Sequence, residues 1–242
     1  MIDTHAHYNS RDLKDLRQEI INANSLPYLK KIINVGLDYE TSKEAIDISI
    51  VEPKFYATIG VHPLSEAAIY PLLDLYRQLD HKKVVAVGET GLDSKGNIPN
   101  QTQNFIYSIN LANHLFLPII IHSNNANKEV MAILRKNPPI YGFVFHCFQP
   151  DLEIAKEIID MGGYISVATP ITRHNAIKSL EVIRFMPIEN LLIELDYPYM
   201  SQNPVQDGRN VFNKIQEIRG LSHQELETQL DANARTLFKK LV

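Results

Sequence analysis

Short runs of β-branched and aromatic residues alternate with longer stretches of helical spacing along the whole chain. The short runs are IDTHAHY, KKIINVG, FYATIGV, VVAVGE, PIIIH, GFVFH, GYISVA and NLLIEL. Between them lie SRDLKDLRQEIINAN, TSKEAIDISIVE, QTQNFIYSINLANHLF, ANKEVMAILRKN, DLEIAKEIIDMG and AIKSLEVIRFMP, and two helical segments around VFNKIQEIRG and SHQELETQLDANARTLFKKL close the chain. This alternation predicts parallel strands covered by helices. Near-continuous Val/Ile content agrees with strands buried on both faces. Eight such units in 242 residues predict the α/β class and a (β/α)8 TIM barrel, as a single domain over residues 1–242. No glycine-rich fingerprint follows the first run, which removes the main support for an open dinucleotide-binding sheet.

Within the first run, Ile2, Thr4 and Ala6 alternate with Asp3, His5 and His7, so the period of two puts both imidazoles on one face. Polar residues then recur where strands end. The third run ends in GVHP with His62, the fourth in GETGLD with Glu89 and Asp93, the fifth with His122, the sixth with His146 and the eighth with Asp196. In a closed barrel the carboxyl ends of the strands converge on one mouth, where such folds carry their active sites.

Composition narrows the picture. The formal net charge is −4, so no overall basic field attracts a polyanion. Cys147 is the one cysteine, which excludes an internal disulfide and suits a reducing, cytoplasmic setting. The expectation is a soluble protein without a membrane span or signal peptide. Tryptophan is absent, and composition alone marks no stacking platform for single strands. Tyr197 and Tyr199 lie near the last acidic residue, where stacking on a base and packing under the rim are both open.

Imidazole with carboxylate is a ligand set for divalent Zn, Mn, Ni or Mg, and Glu89 on a central strand is placed to bridge two ions. Two ions about 3.5–4 Å apart can clamp the attacking and leaving oxygens of a displacement at phosphorus. Singly, each residue has an ordinary reading: Glu89 could cap a turn, and Asp93 or Asp196 could cap a helix. Shared placement at one end of different strands favours a common site. His81, His114 and His223 are read as ordinary helix or surface residues, and His174 as part of a solvated loop.

The chain resembles the TatD family of metal-dependent deoxyribonucleases through IDTHAHY, GVHP, GETGLD, LPIIIHS, FHCF, GGYIS, LLIELDYPY and the closing NARTLF. The resemblance implies that His5, His7, Glu89, His122, His146 and Asp196 hold two divalent metal ions, with Glu89 shared and His62 facing the substrate phosphate. One ion would take His5, His7, Glu89 and Asp196, the other Glu89, His122 and His146. The implied reaction is phosphodiester hydrolysis by a metal-bound hydroxide, with Asp196 as general base and DNA, contacted briefly near a strand end, as substrate. Four positions depart from the family pattern: Asn124 replaces an arginine, Gln149-Pro150 replaces Ser-Gly, and Leu195 replaces a threonine. Lys95, Arg173 and Arg209 are the cations expected in mouth loops. Alternative readings on the same barrel are an amidohydrolase or phosphotriesterase, cleavage of the ester of aminoacyl-tRNA, and a non-catalytic metal-binding barrel.

Overall fold

The computed structural model describes residues 1–67, 71–78 and 81–241. Its strands are β1 (Ile2–Ala6), β2 (Lys31–Asn34), β3 (Phe55–Ile59), β4 (Val84–Asp93), β5 (Ile119–Asn124), β6 (Phe143–Phe145), β7 (Tyr164–Val167) and β8 (Leu191–Ile193). Its α-helices are α1 (Leu16–Ser25), α2 (Tyr39–Val51), α3 (Pro71–Gln78), α4 (Ile98–Leu115), α5 (Asn127–Lys136), α6 (Leu152–Asp160), α7 (Ile177–Phe185), α8 (Pro204–Arg219) and α9 (His223–Leu237). Neighbouring strands pair in parallel in the order β1 to β8, as the alternation predicts. The seam between β8 and β1 is joined by hydrogen bonds: the Asp196 N–H donates to the His5 carbonyl at 2.8 Å, and Thr4 Oγ1 donates to the Ile193 carbonyl at 3.0 Å.

Two boundaries differ from the sequence reading. The first helix starts at Leu16 rather than Ser10, because the Asp15 carboxylate caps it by accepting from the Gln18 N–H. The last-but-one helix starts at Pro204, seven residues before VFN, with Asn203 as its cap. Helix α3 was not singled out by the pattern, although Leu72 and Leu75 bury one side of it.

Apolar residues divide into an outer layer between helices and sheet and an inner layer within the barrel. The inner layer takes Ile2, Tyr56, Val85 and Ile120 from the first halves of their strands, and Ile33, Val144 and Leu192 from nearer the middle of theirs. Leu237, Phe238 and Leu241 from the end of the chain pack against it. Hydrophobic filling therefore occupies the amino-terminal end of the barrel, and the carboxyl ends are left for polar side chains. The first strand is no frayed edge: Asp231 of α9 accepts from the Ile2 N–H at 3.1 Å, and every residue of β1 is buried.

Close strand approach fixes where Glu89 stands. A Cβ on Gly60 would lie 2.3 Å from the Gly88 carbonyl carbon and 2.5 Å from the Glu89 nitrogen. Gly60→Ala is therefore expected to cost about 1–3 kcal/mol through overpacking against backbone. At roughly 2–4 °C per kcal/mol for a chain of this size, thermal melting will show the loss. An unchanged melting temperature would mean that the β3–β4 junction yields freely.

Candidate functional site

Six residues of the sequence-derived set come together with His62 at the carboxyl end of the barrel. His5 and Glu89 lie within β1 and β4, His122 within β5, and His7, His62, His146 and Asp196 in the residues just past β1, β3, β6 and β8. The β1–β2 register shifts between Asp3 and Ala6, and both imidazoles still aim inward: His5 Nε2 lies 3.0 Å from His7 Nε2. Glu89 is central, and its two oxygens face different partners. Oε2 lies 3.3 Å from His5 Nε2 and 3.7 Å from His7 Nε2. Oε1 lies 2.6 Å from His122 Nδ1, 2.8 Å from His146 Nε2 and 3.7 Å from His62 Nε2. Asp196 Oδ1 sits beyond the first pair, 3.3 Å from His7 Nε2 and 3.9 Å from His5 Nε2.

His7 and His122 are anchored through the nitrogen that faces away from Glu89 or Asp196, and His146 Nδ1 has a carboxylate nearby, whereas His5 Nδ1 is buried without a hydrogen-bond partner. His7 Nδ1 lies 3.1 Å from the Val35 carbonyl, an acceptor only, so it carries a proton, and Nε2 is the nitrogen that either donates to Asp196 or, without its proton, can bind a cation. His122 Nε2 lies 3.2 Å from Asp93 Oδ2, and His146 Nδ1 lies 3.5 Å from Glu194 Oε1. Such carboxylate–imidazole pairs fix ring orientation and raise ligand basicity. Imidazole nitrogens and carboxylate oxygens thus converge on one another, with the protons that His122 and His146 share with Glu89 standing where a cation would bind. Three overlapping groups, His5/His7/Asp196, His5/Glu89/His146 and His62/Glu89/His122, each hold donor atoms within 4.8 Å of one another. This donor set fits borderline or hard divalent cations.

Electrostatics agree with an ionised centre. Burial alone would raise the Glu89 carboxyl, but the charge of His146 and the hydrogen bonds from His122 and His146 hold it well below the usual carboxylate range. Asp196 is also lowered, burial being outweighed by the hydrogen bond from His7 and the charges of the nearby histidines. Burial pushes His62 down to about 4 against the opposing pull of Glu89, so its ring is neutral near pH 7. Its Nδ1 accepts from the Leu64 N–H at 3.1 Å, and the proton of the neutral ring is therefore on Nε2, facing the site. Cys147 borders the same cavity, but burial and the charge of Glu194 push its thiol up to about 12. It is no nucleophile at neutral pH.

Glu194 is the residue that sequence reasoning missed. It is buried, and its carboxylate accepts from the Cys147 N–H at 2.6 Å and from Ser166 Oγ. The signal was its place in IELD, where strand alternation puts Glu194 on the same face as Asp196 and opposite to Leu195. Glu194→Gln is expected to weaken divalent-metal binding roughly 10–100-fold by loosening His146. Calorimetric titration of the metal-free variant checks this, and unchanged affinity would reduce Glu194 to a backbone tie.

The other expected residues resolve individually. Asp93 is not the cap of α4, a task that Asn97 performs; it accepts from the Lys95 N–H and from Asn124 Nδ2, at 2.8 and 3.0 Å. Arg173 lines the main cavity, whereas Lys95 is exposed on the turn after β4 and is not among the lining residues. Arg209 is not in a mouth loop: helix α8 starts earlier than expected and carries it to a separate small cavity beside Met1 and Tyr28. Tyr197 is buried and packs on Tyr8 with ring centroids 5.1 Å apart, so it offers no face to a base. Tyr199 is half-exposed at the cavity, edge-on to His7 at 5.0 Å. Leu195 is buried in the outer layer. His114 and His174 are exposed, and His223 is exposed while packing on Phe212. The His81 side chain falls outside the described residues.

Comparison with known proteins places this geometry. The model of the family described as TatD related DNase matches residues 2–239. A Bacillus subtilis protein described as the metal-dependent hydrolase YabD is 32% identical, with 99% of each chain covered. The 3'-5' ssDNA/RNA exonuclease TatD of Pantoea vagans is 27% identical, again over 99% of each. The crystal structure of YjjV, a TatD homologue from Escherichia coli, superposes with a TM-score of 0.88 at 28% identity, covering 99% of this chain and 98% of the other.

Proposed function

Because the chain belongs to the TatD related DNase family of metal-dependent hydrolases, we propose that it cleaves phosphodiester bonds at nucleic-acid strand ends, using two divalent ions. The observation that carries this reading is the division of Glu89, with Oε2 toward His5 and His7 and Oε1 toward His122 and His146. One ion would be held by His5, His7, Glu89 and Asp196, and the other by Glu89, His122 and His146. When bound, such ions supply the positive charge that acidifies an attacking water and offsets charge on the phosphoryl oxygens.

The protein's own groups account for the remaining steps. Asp196, ionised and at the edge of the cluster, takes the proton of the attacking water. His62, neutral with its proton on Nε2, donates a hydrogen bond to a phosphoryl oxygen or to the departing oxygen. His62 Nε2 stands 3.7 Å from Glu89 Oε1, the longest of the three imidazole approaches to that oxygen, which suits a substrate-facing role. The cavity above these groups has a volume of about 680 Å³, room for a short end of a strand rather than a duplex. The exonuclease named among the relatives supports the same choice of substrate.

The experiment is digestion of end-labelled single- and double-stranded DNA and RNA by metal-loaded protein, with a lactone and an aminoacyl-tRNA as comparison substrates. Stepwise shortening from one end is expected. With only one or two phosphates neutralised by side chains, log affinity for a single strand will fall with log salt at a slope of about −1. Ester cleavage without phosphodiester cleavage would replace this reading, and a steep salt slope would overturn the short contact.

A further inference from the structure

Beside the imidazole–carboxylate cluster, the cavity continues into a lobe formed past β6, β7 and β8. Phe148, Val167, Ala168, Ile171 and Met200 line it. The first four are buried, and Met200 is partly exposed at the lip. Arg173, exposed at the end of the same β7–α7 connection, is the one lysine or arginine among the described residues that line the cavity. The polar wall toward β5 offers no second charge. Asn124 Nδ2 donates to Asp93 Oδ2 at 3.0 Å, Gln149 Nε2 donates to Asn124 Oδ1 at 2.6 Å, and the Asn125 N–H donates to Gln149 Oε1 at 2.9 Å. These amides are neutral and largely engaged with one another.

We propose that the lobe is a specificity subsite for an uncharged, flat or apolar arm of a phosphodiester, with Arg173 taking a single negative charge at its lip. This rests on the hydrolytic reading and names the substrate class of that site. A charged arm would set phosphate oxygens against Phe148 and Ile171 with no donor to replace water, which is unfavourable. An aromatic or nucleoside arm instead removes its own apolar surface from water against the same side chains. The terminal nucleoside of a strand and a simple aryl ester share this chemistry.

The test uses metal-loaded protein and three diesters with one leaving group: bis(4-nitrophenyl) phosphate, thymidine 5'-(4-nitrophenyl phosphate) and methyl 4-nitrophenyl phosphate. Met200→Glu, a change at a partly exposed lip position, places an anion beside the arm. It is expected to lower kcat/KM for the aryl and nucleoside diesters roughly tenfold more than for the methyl diester, mainly through KM. Preference for the nucleoside over the aryl arm identifies a strand end as the source, and the reverse order identifies a small aryl ester. Saturation-transfer NMR with methyl phenyl phosphate and metal-free protein reads the lobe without turnover: the aryl protons should saturate in the wild type and lose most of the signal in Met200→Glu. Equal effects on all three diesters together with unchanged saturation would overturn the subsite. If no diester is cleaved with any metal but the NMR contrast holds, the hydrolytic reading fails and the apolar lobe stands.

Discussion

Glu89→Gln will lower turnover by about a hundredfold or more, the scale set by losing one preorganised electrostatic partner, while the barrel still folds. The carboxylate is the only group in the cluster whose two oxygens face both sets of imidazoles. Glutamine keeps the volume and one acceptor oxygen, but its amide N–H₂ can donate to an imidazole lone pair and so occupy a position that a cation would need. It also removes the negative charge that His146 stabilises. The substitution is nearly isosteric, so far-ultraviolet circular dichroism should be unchanged. Metal content, measured by elemental analysis, should fall from two ions per chain toward one or none. A variant that retained both ions and wild-type turnover would return Glu89 to a structural role and remove the bridge from the mechanism.

Stripping divalent metal with a chelator will bring hydrolysis to background, and adding it back will restore activity. Melting temperature will move with it. An ion that binds only the folded chain at 1,000 times its dissociation constant adds about 4 kcal/mol of stability. At roughly 2–4 °C per kcal/mol, that amounts to a rise of about 8–16 °C per saturated site. The structural reason is the convergence of His5, His7, His122 and His146 nitrogens with Glu89 and Asp196 oxygens, groups that repel or compete for protons until a cation lies between them. A scan of melting temperature against metal concentration, run beside the activity assay, separates the two ions if their affinities differ. Full turnover by protein shown to be metal-free would refute the mechanism.

Much of this was present in the order of residues. Eight β-branched runs separated by helical spacing specify a parallel barrel, because each pattern buries one side of its element and allows few arrangements of the next. Once the barrel is specified, residues that end its strands share a mouth, so His5, His7, His62, Glu89, His122, His146 and Asp196 could be grouped without coordinates. The metal chemistry followed from residue type, since imidazole and carboxylate were available and thiolate was not.

What only the tertiary structure decided concerns direction and partnership. Sequence gives no reason for Glu89 to turn one oxygen to β1 and the other to β5 and β6; the close approach of Gly60 and Gly88 places it there. Asp93 was known as a strand end, but that it grips His122 across β4 and β5 depends on parallel register, which pairs Gly91 with His122 and Asp93 with Asn124. Glu194 looked like one more strand residue until β6 and β7 brought His146, Cys147 and Ser166 to its carboxylate. Arg209 left the mouth because a helix boundary moved by seven residues, and Arg173 remained there. Local pattern depends on spacing along the chain and is therefore legible in sequence. Which atom of a side chain faces which partner depends on neighbours tens of residues away, and only the closed barrel brings them within a few ångströms.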